Sequence, residues 1–348
     1  MTPQYTIVGA GAIGGTLAVH LQLGGAEVHL VDADEEHVAA VRERGFRIEA
    51  PDGPLTARPT ISTPEDAPEQ LGAVLLAVKA QATDAAAAWI APRLAEDGWV
   101  VSMQNGLNES TIAEHVGADR TVAAFVDLFA DVVGPGVVRD GGIGDIALGE
   151  YAGGSSPRVE ALARDLHHWG TPIVSDNVPG YLWSKLGFGA MLVATALADE
   201  DMGDLIDRHR TGMHALVREV LTVATAEGIA LERFDAFDPE AYLTPTSIAA
   251  DPATDADTAT AADTATDGLV AWLGAQTKKR SGIWRDIAVR GRRTEVPTQY
   301  RPVLSAAERH GIPTPLLSWL VDRITALETH AVAMDEAHLA ELDRLAAA

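Results

Sequence analysis

Residues 4–32 read QYTIVGAGAIGGTLAVHLQLGGAEVHLVD, and the fold turns on them. Gln4–Val8 is a short, largely apolar run ending in glycine, the pattern of a buried strand. Helical periodicity follows from Ile13 to Leu23, and Glu27–Val31 is a second strand candidate. Between strand and helix stands Gly9-Ala10-Gly11-Ala12-Ile13-Gly14, with Gly15 behind it. The first glycine permits a tight turn. The second lets the backbone, with Ala12 and Ile13 at the helix start, approach a pyrophosphate. The third lets helix and strand pack closely, and the helix N-terminus supplies partial positive charge. With 32 glycines in the chain the letters alone mean little. The order strand, glycine turn, helix, strand is what marks a dinucleotide site.

Asp32 follows the second strand, 18 residues after Gly14. An acid there can accept hydrogen bonds from an adenosine ribose 2′-OH. Asp34, Glu35 and Glu36 come next, either as further acids or as a solvated helix start. Arg42 is the first basic residue beyond them, so Arg42 or Arg44 would have to fold back to meet a 2′-phosphate. NAD is therefore expected in preference to NADP.

The length of 348 residues suggests two to three domains, and 47% hydrophobic with 22% charged residues excludes wholesale disorder. Lys and Arg number 26 against 50 Asp and Glu, a net charge of −24. Such a field repels nucleic-acid backbones and anionic membranes. Without cysteine there is no disulfide framework, thiolate nucleophile or Cys-ligated metal, and no other metal site is read. The first residues lack the basic and apolar segments of a signal peptide, and no apolar stretch approaches the ~18 residues of a membrane span. A soluble cytoplasmic protein is the expectation.

Strand candidates continue at Val74–Val78, Trp99–Met103 and Thr121–Phe125, with helices over Ala82–Leu94 and Glu109–Val116. That alternation predicts βαβ units and a mainly parallel sheet. Glycines and a proline break up Val132–Tyr151, which suggests loops with one or two extra strands. Arg158–His168 reads as a helix and Pro172–Ser175 as a last strand. Beyond Pro179 the signal is helical, over Tyr181–Ala198, Asp204–Glu227, Gly268–Lys278, Gln299–His310 and Pro315–Glu328, with Glu336–Ala347 as a last surface helix. The fold class expected is α/β, a Rossmann-type parallel sheet followed by an all-helical domain. Its parts are a dinucleotide-binding domain at 1–178, a helical substrate domain at 179–330 and a C-terminal helix within 331–348. Ala250–Asp267 holds only Ala, Asp, Thr and one Pro, and is expected to be a mobile surface loop rather than a capped helix.

Lys79 and Gln104-Asn105-Gly106 fall at strand carboxyl ends, where open α/β sheets bind ligands. Such amides hold a carboxamide or substrate oxygen, or simply start a turn or helix. Lys185 lies in the nearly uncharged WSKLGFGAMLVATAL, where a lone ammonium needs a function or a route to solvent. KKRSGIWRDIAVRGRRTE, ending at Glu295, concentrates five Arg and two Lys. It either attracts an anionic ligand or forms a self-paired face.

Taken in order, GxGAIGG, VKA, QNG, GPG with a later Gly-Glu, WxKL, and Arg-Asp with Gly-Arg and Thr-Glu resemble the ketopantoate reductase (2-dehydropantoate 2-reductase) family. The resemblance runs from Thr6 to about Leu320. It implies an active site in the cleft between a Rossmann domain and a helical domain, with Gly9, Gly11 and Gly14 on the cofactor. Lys79 and Asn105 would stand beside nicotinamide and substrate, Lys185 would be the general acid, and Glu295 would bind or position the substrate hydroxyl. Glu219 matches a helix acid near the family's site. The chain departs from the pattern at Gly189 and Val193, where the family carries asparagines, and at Gly282, where a serine would grip the substrate carboxylate.

A divergent member is therefore expected: an NAD-dependent oxidoreductase interconverting a secondary alcohol or 2-hydroxy acid and its ketone. Lys185, Glu295 and Asn105 would be catalytic, with Arg280, Arg285 or Arg290 on a substrate carboxylate. Trp284, Gly189 and Val193 would suit a bulkier or less polar substrate. The alternatives are NADPH-dependent reduction of 2-dehydropantoate and an inactive dinucleotide sensor. The partner is a small carbonyl or alcohol molecule, and a homodimer is compatible with the sequence.

Overall fold

Gln4–Val8 forms β1, buried from Tyr5 onward, inside an eight-stranded sheet. The computed structural model describes residues 4–50, 53–128, 130–140, 144–243, 260–276 and 278–348. The chain divides into two units, Met1–Val178 and Pro179–Ala348.

In the first unit β1 is followed by α1 (Ala12–Leu23), β2 (Glu27–Val31), α2 (Glu35–Arg44), β3 (Phe46–Glu49), β4 (Leu55–Ala57) and β5 (Thr60–Ser62). Then come β6 (Leu71–Leu76), α3 (Thr83–Ile90), β7 (Leu94–Ser102), α4 (Glu109–Val116) and β8 (Thr121–Val126). β9 (Ala130–Gly134), β10 (Val137–Asp140), β11 (Asp145–Glu150), α5 (Pro157–Leu166) and β12 (Thr171–Val174) complete it. The main sheet runs β12-β11-β8-β7-β6-β1-β2-β5, parallel except where β11 meets β8. Because β2 and β5 lie on one side of β1 and β6 to β8 on the other, the chain reverses its direction of travel between β1 and β6. That reversal is where doubly wound sheets open a crevice at their carboxyl edge.

A second sheet, β4-β3-β10-β9, packs on α1. It absorbs part of Val132–Tyr151, while β11 joins the main sheet. Phe46 on β3 lies over α1 so closely that a Cβ at Gly15 would overlap its ring, which accounts for the fourth glycine of the turn. Of α2 the sequence reading offered only the helix start at Asp34, Glu35 and Glu36, and β3 to β5 have no counterpart in it. β6 ends at Leu76, so Val78 and Lys79 lie in the bend beyond the strand rather than at its end.

The second unit contains α6 (Val178–Ala194), α7 (Met202–Arg208), α8 (Arg210–Ala226), α9 (Pro239–Leu243), α10 (Ala261–Ala275), α11 (Gly282–Ala288), α12 (Val296–His310), α13 (Pro315–Glu328) and α14 (Ala337–Ala346). α8 buries Met213, Leu216, Val217, Val220 and Leu221, and packs against α9, α12, α13 and α14. The single helix expected over Asp204–Glu227 is two. They part at His209, whose ring is held between Asp343 at 2.7 Å and Glu336 at 3.1 Å.

The expected loop over Ala250–Asp267 needs correction at its end. Its first residues, through position 259, lie outside the described residues. Thr260 caps α10, its Oγ1 accepting from the Asp263 amide at 3.1 Å while the Asp263 carboxylate accepts from the Thr260 amide at 3.1 Å. This reciprocal cap satisfies two helix-end groups that a composition argument overlooks.

Candidate active site

Four strands end in register: Val8 opposite Val31 and Leu76, and Leu76 opposite Ser102. The residues that follow, Gly9, Asp32, Ala77–Lys79 and Met103–Asn105, therefore share one edge of the sheet. Gly9 has a φ of 97°, and a Cβ there would lie 2.8 Å from the Val78 nitrogen. At Gly14 a Cβ would overlap the Gly9 carbonyl oxygen, whereas at Gly11 it would meet nothing within 4 Å. The first glycine and the third are needed to close the turn, and the second faces open space. The first helical bond runs from the Gly15 amide to the Gly11 carbonyl at 2.8 Å. Ala12, Ile13 and Gly14 thus hold the first-turn amides, which have no acceptor within the helix. A cradle of this shape and polarity fits a pyrophosphate.

Asp32, half-buried, braces the turn. Its Oδ2 accepts from the Ala10 amide at 2.6 Å and its Oδ1 from the Asp34 amide at 2.9 Å. Each oxygen keeps a second lone pair for a ribose hydroxyl. Asp34 caps α2 by accepting from the His37 amide at 3.1 Å, and Glu35 and Glu36 fill the first helical turn. The acids after Asp32 are thus a helix start. Arg42 does not fold back: its Nε donates to the Ile61 carbonyl at 3.0 Å and its guanidinium faces Asp66. Arg44 pairs with Glu43 at 2.8 Å.

Lys79 and Asn105 are exposed, three residues beyond Leu76 and Ser102 respectively. Gln104, buried, does not reach outward with Asn105. Its Nε2 donates to the Val78 carbonyl at 2.9 Å and to Thr83 Oγ1 at 2.7 Å. Glu109, at the first position of α4, is 4% exposed, and its Oε1 has no partner among the described residues. Burial pushes this carboxyl up to about 7, which the Ser102 hydroxyl and nearby backbone amides offset only in part. The sequence reading missed Thr83, Asn108 and Glu109. An asparagine followed by an acid at a helix start was the available signal.

On the second unit α6 is buried from Leu182 to Ala194 except at Lys185, Gly189 and Leu192. Their spacing of four and three puts them on one face. Lys185 thereby reaches the surface from a helix that is otherwise core. Val193, four residues beyond Gly189, is 3% exposed. A Cβ at Gly189 would stand 3.1 Å from Tyr300 Oη, a hydroxyl that donates to the Leu186 carbonyl at 2.9 Å. Gln299 Nε2 is 3.8 Å from the same point, and Glu295, buried, stands at the N-cap position of the helix that carries both. Gly189 thus stands against α12.

Elsewhere the sequence reading is redirected. Glu219 accepts the Leu316 and Leu317 amides at 3.0 and 2.8 Å, so it caps α13, with burial pushing its carboxyl up. Ser281 caps α11 by accepting from the Trp284 amide at 3.2 Å. Arg280 pairs with Asp201 and Asp199, and its guanidinium stands over the Trp284 ring. Arg290 and Arg292 reach Asp286 Oδ1 at 3.1 and 2.8 Å. The basic segment is largely self-paired. Burial, then the Arg290 charge, push the half-buried Arg285 guanidinium below its usual value, and Asp286 opposes them.

A parallel sheet with a glycine turn at its crossover, and an acid at the next strand end, defines a Rossmann-type dinucleotide-binding protein. Residues 5–153 match the family described as ketopantoate reductase PanE/ApbA, and residues 177–328 match its C-terminal part. The chain belongs to the ketopantoate reductase family, whose members are NAD(P)-dependent oxidoreductases of hydroxy and keto compounds. A 2-dehydropantoate 2-reductase of Halobacterium salinarum is 29% identical over 92% of this chain and 97% of its own length. A ketopantoate reductase crystal structure from Ralstonia eutropha superposes with a TM-score of 0.76 at 26% identity, over 94% of this chain and 99% of that one. D-mandelate dehydrogenase, in a ternary structure with NADH and anilino(oxo)acetate, shares the fold at a TM-score of 0.77 and 21% identity, over 94% of this chain and 98% of that one.

Proposed function

We propose that this enzyme is an NAD-linked dehydrogenase that interconverts a 2-hydroxy acid, or a related secondary alcohol, and its ketone. Gly9, Gly11, Ala12, Ile13 and Gly14 would hold the dinucleotide phosphates, Asp32 the adenosine ribose, and Lys79 with Asn105 the nicotinamide side. When bound, the nicotinamide supplies or accepts the hydride. Lys185 then gives a proton to the carbonyl oxygen during reduction and takes it from the alcohol during oxidation. Its ammonium also stabilises the negative charge that develops on that oxygen. Glu295 positions the substrate hydroxyl, and Arg285 is the candidate for its carboxylate.

The observation that carries this reading is the α6 stripe, where Lys185 is the one charged side chain on a largely buried helix and Gly189 leaves the next turn without a polar side chain. A substrate with an apolar substituent suits that surface. D-mandelate dehydrogenase, bound to a ligand with an aromatic substituent, shows that the fold accommodates such molecules. Preference for NAD rests on Asp32 and on Arg42 and Arg44 being engaged elsewhere.

The test is to screen 2-hydroxy acids and secondary alcohols for NADH production, then repeat the best with Lys185→Ala. That variant should keep its fold and cofactor affinity while kcat falls by about 10²–10⁴. Near-normal turnover would remove Lys185 from the mechanism.

A second reading, NADPH-dependent reduction of 2-dehydropantoate, is favoured by the activity of the Halobacterium salinarum relative. Tighter binding of NADPH than NADH, together with turnover of 2-dehydropantoate, would select it.

A further inference from the structure

Between the ends of β6 and β7, three buried side chains form a hydrogen-bonded chain with one direction. Gln104, Thr83 and Asn108 are 6%, 2% and 7% exposed. Asn108 Nδ2 donates to the Asn105 carbonyl at 2.8 Å, which turns its Oδ1 toward Thr83. Thr83 Oγ1 donates to that oxygen at 3.2 Å and accepts from Gln104 Nε2 at 2.7 Å. The other amide proton of Gln104 goes to the Val78 carbonyl at 2.9 Å. Since Gln104 precedes Asn105 in the chain, the bonds close a ring. It joins the bend carrying Lys79 to the bend carrying Asn105. Each of its amide and hydroxyl orientations is set by its neighbour, and a gap would strand buried polar groups.

Resting on the reading of Lys79 and Asn105 given above, we propose that Thr83 and Asn108 are positioning residues. They fix where Asn105 stands relative to Lys79, and so how the nicotinamide end of the dinucleotide is received. The adenosine end, held by the glycine turn and Asp32, does not depend on them.

The test compares affinities for NADH and ADP-ribose, which lacks the nicotinamide, on the full chain of wild type, Thr83→Val and Thr83→Ser. Wild type should bind NADH more tightly than ADP-ribose. Thr83→Val should lose about tenfold in NADH affinity, the scale of one hydrogen bond, with ADP-ribose affinity unchanged. Thr83→Ser, which keeps the hydroxyl, should restore the difference. Equal losses for both ligands, or an intact NADH advantage in Thr83→Val, would overturn the positioning role. A wild type with no NADH advantage would instead overturn the nicotinamide-side reading of Lys79 and Asn105, and the positioning role with it. If Thr83→Val does not fold, Asn108→Asp makes the same comparison. It keeps the side chain's size and the Oδ1 acceptor for Thr83, and exchanges the Nδ2 donor to the Asn105 carbonyl for a carboxylate oxygen.

Discussion

The glycine turn and the basic segment 278–295 both advertise an attraction for anions, by different means. The turn uses backbone amides at the start of α1: those of Gly9 and Ala10 are taken, by the Val31 carbonyl and Asp32, while those of Ala12, Ile13 and Gly14 have no acceptor within the helix. The basic segment uses side-chain cations, and three of its five arginines are spent on carboxylates: Arg280 on Asp199 and Asp201, Arg290 and Arg292 on Asp286. In a chain of charge −24 a flexible cation finds a carboxylate easily. A helix N-terminus is fixed in place, and no neighbouring side chain can take its first-turn amides without filling the space where a ligand would lie. Fixed backbone dipoles are the more dependable anion signal in an acidic protein.

The largest effect should come from Gly14→Ala, whose Cβ would overlap the Gly9 carbonyl. Stability should fall by about 3 kcal/mol in urea unfolding, with NADH binding lost alongside. Gly11→Ala is the contrasting case. Its Cβ enters open space, so the melting temperature should hold while NADH affinity falls. An unchanged affinity would show that the turn does not receive the cofactor.

A pair of buried carboxyls carries the comparison further. Asp286, 4% exposed, has two guanidinium partners; Glu109, also 4% exposed, is raised to about 7 by burial. A raised acid binds its proton more tightly in the folded state. Its stabilising contribution is complete below the unfolded value near 4.3 and is lost as pH rises through about 7. Between pH 4 and 8, wild type should lose roughly 3 kcal/mol relative to Glu109→Gln, measured by urea unfolding at each pH. Parallel pH profiles for the two proteins would sink this account.

Asp32→Ala should cost about 1–2 kcal/mol, because the Ala10 and Asp34 amides both lose their acceptor. Discrimination against NADPH should weaken as well, without becoming a preference for it, since an alanine removes repulsion and adds no attraction. Titrating both cofactors measures this. The smallest effect should be that of Arg290→Ala, below about 1 kcal/mol, because Arg292 keeps Asp286 partnered. A loss of several kcal/mol there would mean that the basic segment is less redundant than its pairing indicates.

What the sequence determined by itself is local. Gly9, Gly11, Gly14 and Asp32 could be placed because strand, turn and helix succeed one another within a few residues, and backbone geometry dictates which positions need glycine. The helical character of the described residues beyond Pro179 was largely legible from periodicity in the same way. Tertiary structure decided where side chains spend their bonds. Arg280 meets acids 79 and 81 residues away, Glu219 caps a helix 97 residues on, and His209 breaks a continuous apolar period by binding Asp343 and Glu336. Gln104, beside Asn105 in the chain, turns inward to Thr83 while Asn105 stays at the surface. Spacing along the chain reports which face a residue occupies, but a charge or an amide is committed by the nearest partner in space, and that partner is set only once the helices and strands have packed.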